Sequence, residues 1–297
     1  MQSCIRMLEK CYNTHVMDGI VLLNKPAGMT SFAAVRRCRN IFHEKKTGHT
    51  GTLDPNASGV LIVLLGKYTK LAPYCVKNHK HYRARFKLGF STDTQDIWGT
   101  ITERKTPSPH TEEEILAACA SLTGDIKQLP PMYSAIKVNG QKLYDLARKG
   151  IEVERKERDA HISVLHVEHL QGDEYSMDAV VSSGTYIRTL IYDFAAKLGE
   201  YGVMTELERV GIEQLSIEDS ANFEDLEEGR GLLDPAAIIS SEWKLVEAGI
   251  YERYIRTGRI VTLHSDEPKV IFTKDGELLA AYVKEEDGVY HCQRGLL

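Results

Sequence analysis

GHTGTLDPNASGVLIVLLG, residues 48–66, changes character halfway along. Gly48, His49, Gly51 and Asp54 fall within its first seven residues, and Val60 to Leu65 then run apolar without interruption. A short apolar run bounded by turn formers predicts a strand buried on both faces near the centre of a sheet. Asp54 precedes Pro55, which biases it toward extended backbone, and Gly48 and Gly51 permit turns that other residues resist. A carboxylate is thus expected on a loop anchored by a central strand. Asp-Pro is also an ordinary turn starter, so a chemical role for Asp54 needs support from elsewhere in the chain.

Outward from this stretch the pattern mixes helices and strands. In residues 30–42 the spacing of Phe32, Val35, Cys38 and Ile41 or Phe42 predicts an amphipathic helix capped by Thr30 or Ser31, its outward face carrying Arg36, Arg37 and Arg39. Residues 81–88 alternate strictly: Tyr82, Ala84, Phe86 and Leu88 point one way, and His81, Arg83, Arg85 and Lys87 the other, giving a strand with one basic face. Thr111 and Glu114 form a capping box before a helix closing on Gly124. Asn139-Gly140 predicts a turn, residues 160–170 and 175–181 two strands, and Ile187, Leu190 or Ile191, Phe194 and Leu198 the buried face of a further helix. The elements do not alternate as in a doubly wound fold, and the expected class is α+β with a substantial mixed sheet. From about Ala248, turns at Asp275-Gly276 and Asp287-Gly288 mark a small β-rich piece, with a boundary near 245. Residues 1–17 read as an extension.

The chain of 297 residues has 42% hydrophobic and 27% charged residues, an ordinary globular composition. Its longest apolar run is far below the ~20 residues of a membrane helix, and its start lacks the apolar stretch of a secretory signal. Six scattered cysteines without a C-x-x-C pair argue against disulfides or a zinc knuckle and for a cytoplasmic protein. Net charge is −5, yet it is polarised. Between Phe32 and Lys87 stand twelve Lys or Arg against two acids, and between Ile212 and Glu247 two against ten. Such a chain can present a positive face to a phosphate backbone while remaining acidic as a whole.

Arg188 is anomalous if Thr185 caps its helix, since a cation in the first turn opposes the helix dipole. A phosphate, a carboxylate such as Asp54, or water would have to compensate it. His166 and His169 fall on opposite faces of a strand and cannot chelate together, and no metal-ligand spacing occurs. The phosphate-binding, dinucleotide and serine-hydrolase motifs are missing as well.

Five segments together become specific: NKPAGMTS (24–31), GHTGTLDPNASGVLIVLLG (48–66), KHYRARFKLGFSTDTQD (80–96), PPMYSAIKVNG (130–140) and SSGTYIRTL (182–190). In order and spacing they resemble the TruB family of tRNA pseudouridine synthases over about Asp18 to Gly211, and the end of the chain resembles that family's PUA-type RNA-binding domain more loosely. The resemblance implies a mostly antiparallel sheet of the pseudouridine synthase type flanked by helices. It implies a catalytic domain over 18–245 and a PUA-like domain over 246–297. It also implies isomerisation of uridine to pseudouridine at T-loop position 55 of tRNA, with no metal or organic cofactor and no obligate protein partner, by a monomer.

By the same resemblance Asp54 is the catalytic aspartate, Tyr82 packs on the target base and Arg188 pairs with Asp54. His49 inserts beside the flipped nucleotide, and Tyr186 and Leu207 line the pocket. Physical chemistry is consistent with these roles: an extruded base needs aromatic or apolar surfaces, and glycosidic cleavage needs an ionised carboxylate, which an arginine stabilises. The arginine-rich helix and the basic strand face are expected to contact phosphates. The chain departs from the family at Ser183, commonly lysine, and at Glu208, commonly basic. Competing readings are a synthase acting on another RNA, an RNA-binding or tRNA-folding protein without turnover, and a carboxylate glycosidase, which would need a second acid.

Overall fold

The computed structural model describes residues 17–134, 136–138 and 140–296. The expected extension lies outside them apart from Met17, as does Asn139 of the expected turn. The chain divides into two compact units, one formed by the stretch up to Lys77 together with Gln214 onward, the other by Asn78–Glu213.

The first unit begins with β1 (Gly19–Lys25), α1 (Ser31–Ile41), β2 (Thr47–Thr50) and β3 (Ser58–Leu65). β1 pairs antiparallel with β3 from Gly19↔Leu65 to Lys25↔Gly59, and β2 pairs antiparallel with β3 from Thr47↔Leu65 to Thr50↔Ile62. Every residue from Val60 to Leu65 is fully buried, as the apolar run predicts. Val21, Leu23, Leu61, Val63 and Leu65 meet Val35, Cys38 and Phe42 of α1 in one core. Thr30 is the helix cap, accepting from the Ala33 amide. Gly48 is not a turn residue but lies within β2, whereas Gly51, at φ 73°, occupies the left-handed region that excludes most side chains.

The second unit runs β4 (Lys80–Leu88), β5 (Phe90–Thr92), β6 (Ile101–Arg104), α2 (Glu112–Ser121), β7 (Gly124–Gln128), β8 (Lys137–Val138), β9 (Gln141–Lys142), α3 (Leu143–Ala147), β10 (Arg158–Gln171), β11 (Glu174–Val181), α4 (Ile187–Lys197) and β12 (Gly202–Ile212). Its main sheet has the order β12-β4-β11-β10-β7, each neighbouring pair antiparallel. β4 shows the predicted alternation: Tyr82, Ala84, Phe86 and Leu88 are buried, and Phe86 stacks on Tyr175 and meets Phe194 of α4 edge-on. The capping box of Thr111 and Glu114 opens α2. The cap of α4 differs from expectation. It is Tyr186, with no side-chain cap bond, because Gln128 at the end of β7 accepts from the Tyr186 amide at 3.0 Å and donates to its carbonyl at 3.2 Å.

The chain then returns to the first unit with β13 (Leu215–Ser216), α5 (Phe223–Glu227), β14 (Lys244–Glu247), α6 (Glu252–Ile255), β15 (Val261–Thr262), β16 (Lys269–Lys274), β17 (Glu277–Glu286) and β18 (Val289–Gly295). The last five strands make a sheet of order β14-β16-β17-β18-β15 around a core of Val270, Phe272, Tyr282 and Tyr290. Its hairpins turn at Asp275-Gly276 and Asp287-Gly288 as predicted. The fold is α+β, mostly antiparallel, with a β-rich C-terminal region. Among the described residues no helix is long and apolar enough to cross a membrane.

Candidate active site

In the first unit, the loop that carries Asp54 is fastened on both sides of it. Ser31, the first residue of α1, donates its hydroxyl to the Leu53 carbonyl at 3.0 Å and accepts from the Leu53 amide at 2.9 Å. Lys25, the last residue of β1, is fully buried, and its ammonium donates to the carbonyls of Pro26 at 2.8 Å, Met29 at 2.7 Å and Pro55 at 3.3 Å. Leu53 and Pro55 are thereby tied to α1 and to β1. Asp54 between them stays partly exposed, with its carbonyl accepting from the Ala57 amide at 3.1 Å. The clasps on Leu53 and Pro55 fix the backbone on both sides of Asp54, and with it the place from which the carboxylate acts. His49 sits on β2, opposite Val63 of β3, and is partly exposed.

Sequence reasoning missed Lys25. Its signal was a lysine closing an otherwise apolar strand directly before a proline, where an extended backbone leaves carbonyls in need of donors.

In the second unit, three of the quoted segments converge on Arg188. Only 5% of Arg188 is exposed; its Nη2 donates to the Tyr133 carbonyl at 2.9 Å, its Nη1 to the Thr94 carbonyl at 3.4 Å, and Asp96 Oδ2 stands 4.0 Å from Nη1. A cation in the first turn of a helix is therefore offset by carbonyl dipoles and a carboxylate, which sequence reasoning did not assign to Asp96. The 92–100 loop that supplies Thr94 and Asp96 is very tight. A Cβ on Gly99 would fall 2.3 Å from Thr94 Oγ1 and 2.5 Å from Asp93 Oδ1. Thr189 ties the same loop to α4 through Gln95 Oε1 at 2.8 Å. Tyr186, one turn-residue before α4, is partly exposed, with the Arg188 guanidinium 5.9 Å from its ring centre.

Tyr82 is buried on β4, in register with Ala179 and Arg209. Arg209 was also missed. It is fully buried, its guanidinium 6.0 Å from the Tyr82 ring centre and its Nη1 donating to the Tyr82 hydroxyl at 3.4 Å. The clue was its parity with Leu207, which places a cation on the inward side of β12. Leu207 is 9% exposed and pairs with Ala84, whereas Glu208 points to the other face, in register with Arg83.

The basic strand face requires a correction. Each outward basic side chain of β4 meets an acid from a neighbouring strand: His81 Nε2 to Asp178 at 2.7 Å, Arg83 to Asp178 at 3.4 Å, Arg85 to Glu206 at 3.7 Å and Lys87 to Glu174 at 2.9 Å. The antiparallel register sets acids of β11 and β12 opposite cations of β4, and the face is charged but compensated. The outward cations of α1 differ. Arg37 is engaged by Glu227 and lies over Phe223, but Arg36 and Arg39, like Lys45 just beyond the helix, are exposed and carry no ion pair among the described residues.

Residues 39–187 match the TruB family pseudouridylate synthase (N terminal domain) profile. The chain is 43% identical to the tRNA pseudouridine synthase B of Clostridium tetani, over 82% of this chain and 85% of that one. It is 38% identical to the protein of the same name from Oenococcus oeni, over 94% and 98%. A crystal structure of a Cbf5-Nop10-Gar1 complex superimposes with a TM-score of 0.68 at 21% identity, covering 95% of this chain and 86% of that one, and shares its fold. The chain belongs to the TruB family of pseudouridylate synthases.

Proposed function

We propose that this protein isomerises uridine to pseudouridine in tRNA, at position 55 of the T-loop. Relatives matched over 82% and 94% of the chain are named tRNA pseudouridine synthase B, which supports the uridine-to-pseudouridine part of the reading. The observation that carries the reading is the Asp54 loop, a partly exposed aspartate whose flanking backbone is clasped by Ser31 and Lys25. In the reaction the N1–C1′ bond of uridine breaks, the base turns, a C5–C1′ bond forms, the C5 proton leaves and N1 takes up a proton, so that the product is an isomer of the substrate. Asp54 acts in its ionised form, by attacking C1′, by stabilising positive charge on the ribose, or by taking the C2′ proton. Arg188 pairs with it, Tyr82 packs on the extruded base, His49 enters the RNA beside the flipped nucleotide, and Tyr186 and Leu207 line the pocket. Residues 18–245 form the catalytic domain and 246–297 a PUA-like RNA-binding domain of a cytoplasmic monomer that grips the T-arm.

A tRNA transcript incubated with the purified protein and mapped by carbodiimide labelling tests this. One new pseudouridine at position 55 is the expected result; none, or one elsewhere, refutes it.

Arg36 and Arg39 of α1 and Lys45 beyond its end, which carry no ion pair among the described residues, supply phosphate contacts in this scheme. Replacing Arg36, Arg39 and Lys45 together by alanine is expected to make the slope of log affinity against log salt shallower by about two to three, since each neutralised phosphate contributes roughly 0.7–0.9. The Arg83→Ala/Arg85→Ala double variant, which removes compensated charges, should shift that slope by less than about 0.5.

A further inference from the structure

Lys80 opens β4 and shares the inward parity of Tyr82 and Phe86. It is only 8% exposed, yet its Nζ has no carboxylate partner among the described residues; the bond it makes is to the Ser183 hydroxyl, at a long 3.4 Å. A lysine is normally buried only when a counter-charge accompanies it. The charge nearest in effect is instead a like one, the guanidinium of Arg209, and burial together with that repulsion lowers the Lys80 ammonium to about 8. Its register neighbours, Val181 and Ile212, are apolar and offer no side-chain acceptor. Ser183 is exposed in the turn that leads to α4, so the buried ammonium ends beneath an opening to solvent.

A buried ammonium with no carboxylate partner among the described residues, beside a hydroxyl at a surface opening, forms a site that gains free energy when an anion arrives. Along a strand, Lys80 and Tyr82 lie about 6.7 Å apart, comparable with the length of one nucleotide. A phosphodiester is ionised at every working pH and can accept from both the ammonium and the hydroxyl. We infer that Lys80 and Ser183 hold a phosphate of the RNA chain directly adjoining the nucleotide that Tyr82 receives. This rests on the RNA reading above. It also gives Ser183 a reason: a lysine there would set a second ammonium against the first, whereas the serine leaves Lys80 charged and adds a donor of its own.

The test uses the full-length protein with a T-arm stem-loop RNA in which the phosphate on either side of the target uridine is replaced, one at a time, by an uncharged methylphosphonate. For the unaltered protein, one of the two replacements should raise KM about tenfold with little change in kcat. Lys80→Gln should raise KM on ordinary RNA by a similar factor and be indifferent to that same methylphosphonate, while Lys80→Arg restores the ordinary KM. The kcat/KM of the unaltered protein should also decline above about pH 8, as Lys80 loses its proton, and this limb should vanish in Lys80→Arg. The other titratable groups around Lys80 are His79, His81 with its partner Asp178, Tyr82 and Arg209; all are intact in that variant, so a limb belonging to any of them persists. Additive losses from Lys80→Gln and from both methylphosphonates, or a limb that survives in Lys80→Arg, overturns the inference. The same cycle read as RNA binding by fluorescence anisotropy needs no turnover. An absence of pseudouridine from the unaltered protein would then count against the isomerase reading alone.

Discussion

Asp54→Asn should abolish pseudouridine formation, lowering turnover on the order of 10³-fold or more, while tRNA binding changes by less than about twofold. Asparagine has nearly the volume of aspartate and differs in charge, so the substitution removes the group that would meet developing positive charge at C1′ and alters little else. The clasps explain why the loop should survive it. Ser31 bonds the backbone of Leu53, and Lys25 the carbonyl of Pro55, contacts that do not involve the Asp54 side chain. The melting temperature is therefore expected to move by only a few degrees. Single-turnover assays on a tRNA transcript decide the matter: activity within tenfold of the unaltered protein would remove Asp54 from the chemistry.

Lys25→Met should act in the opposite way, through stability. Methionine approximates the length and flexibility of lysine, so the cavity is small and the loss is electrostatic. The carbonyls of Pro26, Met29 and Pro55 lose a common donor, although Pro26 and Pro55 are exposed and Met29 is half-buried, so water replaces part of it. Losing this charged donor to three partly buried acceptors costs on the order of 1–3 kcal/mol, a fall in melting temperature of roughly 5 °C for a chain of this size. Activity should drop as well, because the Pro55 side of the Asp54 loop is released. A calorimetric scan of Lys25→Met beside Asp54→Asn separates the two roles; a fall below about 2 °C would show that the ammonium does not secure the loop.

The two variants mark what the chain discloses on reading and what it conceals. Local rules carried the elements well. The cap at Thr30, the capping box at Thr111 and Glu114, the alternation of β4 and the two Asp-Gly hairpins each depend on residues a few positions apart. The errors came where partners are distant in sequence. Gln128 holds the start of α4 from 58 residues away, which displaced the expected Thr185 cap. The acids facing β4 arrive from β11 and β12 by register, which no single-strand pattern reports. Asp54, Tyr82 and Arg188 were singled out because their segments resemble a family. Lys25, Asp96 and Arg209 were not, since their importance lies in the carbonyls, carboxylates and rings that folding sets beside them.

The compensated lattice on the outer face of β4 has an effect beyond neutrality. A polyanion colliding with that side meets alternating signs a few ångströms apart, whose fields cancel within about one Debye length. Such a collision is brief and unrewarded, so the outer face of β4 adds little to the capture of a polyanion despite its count of basic side chains.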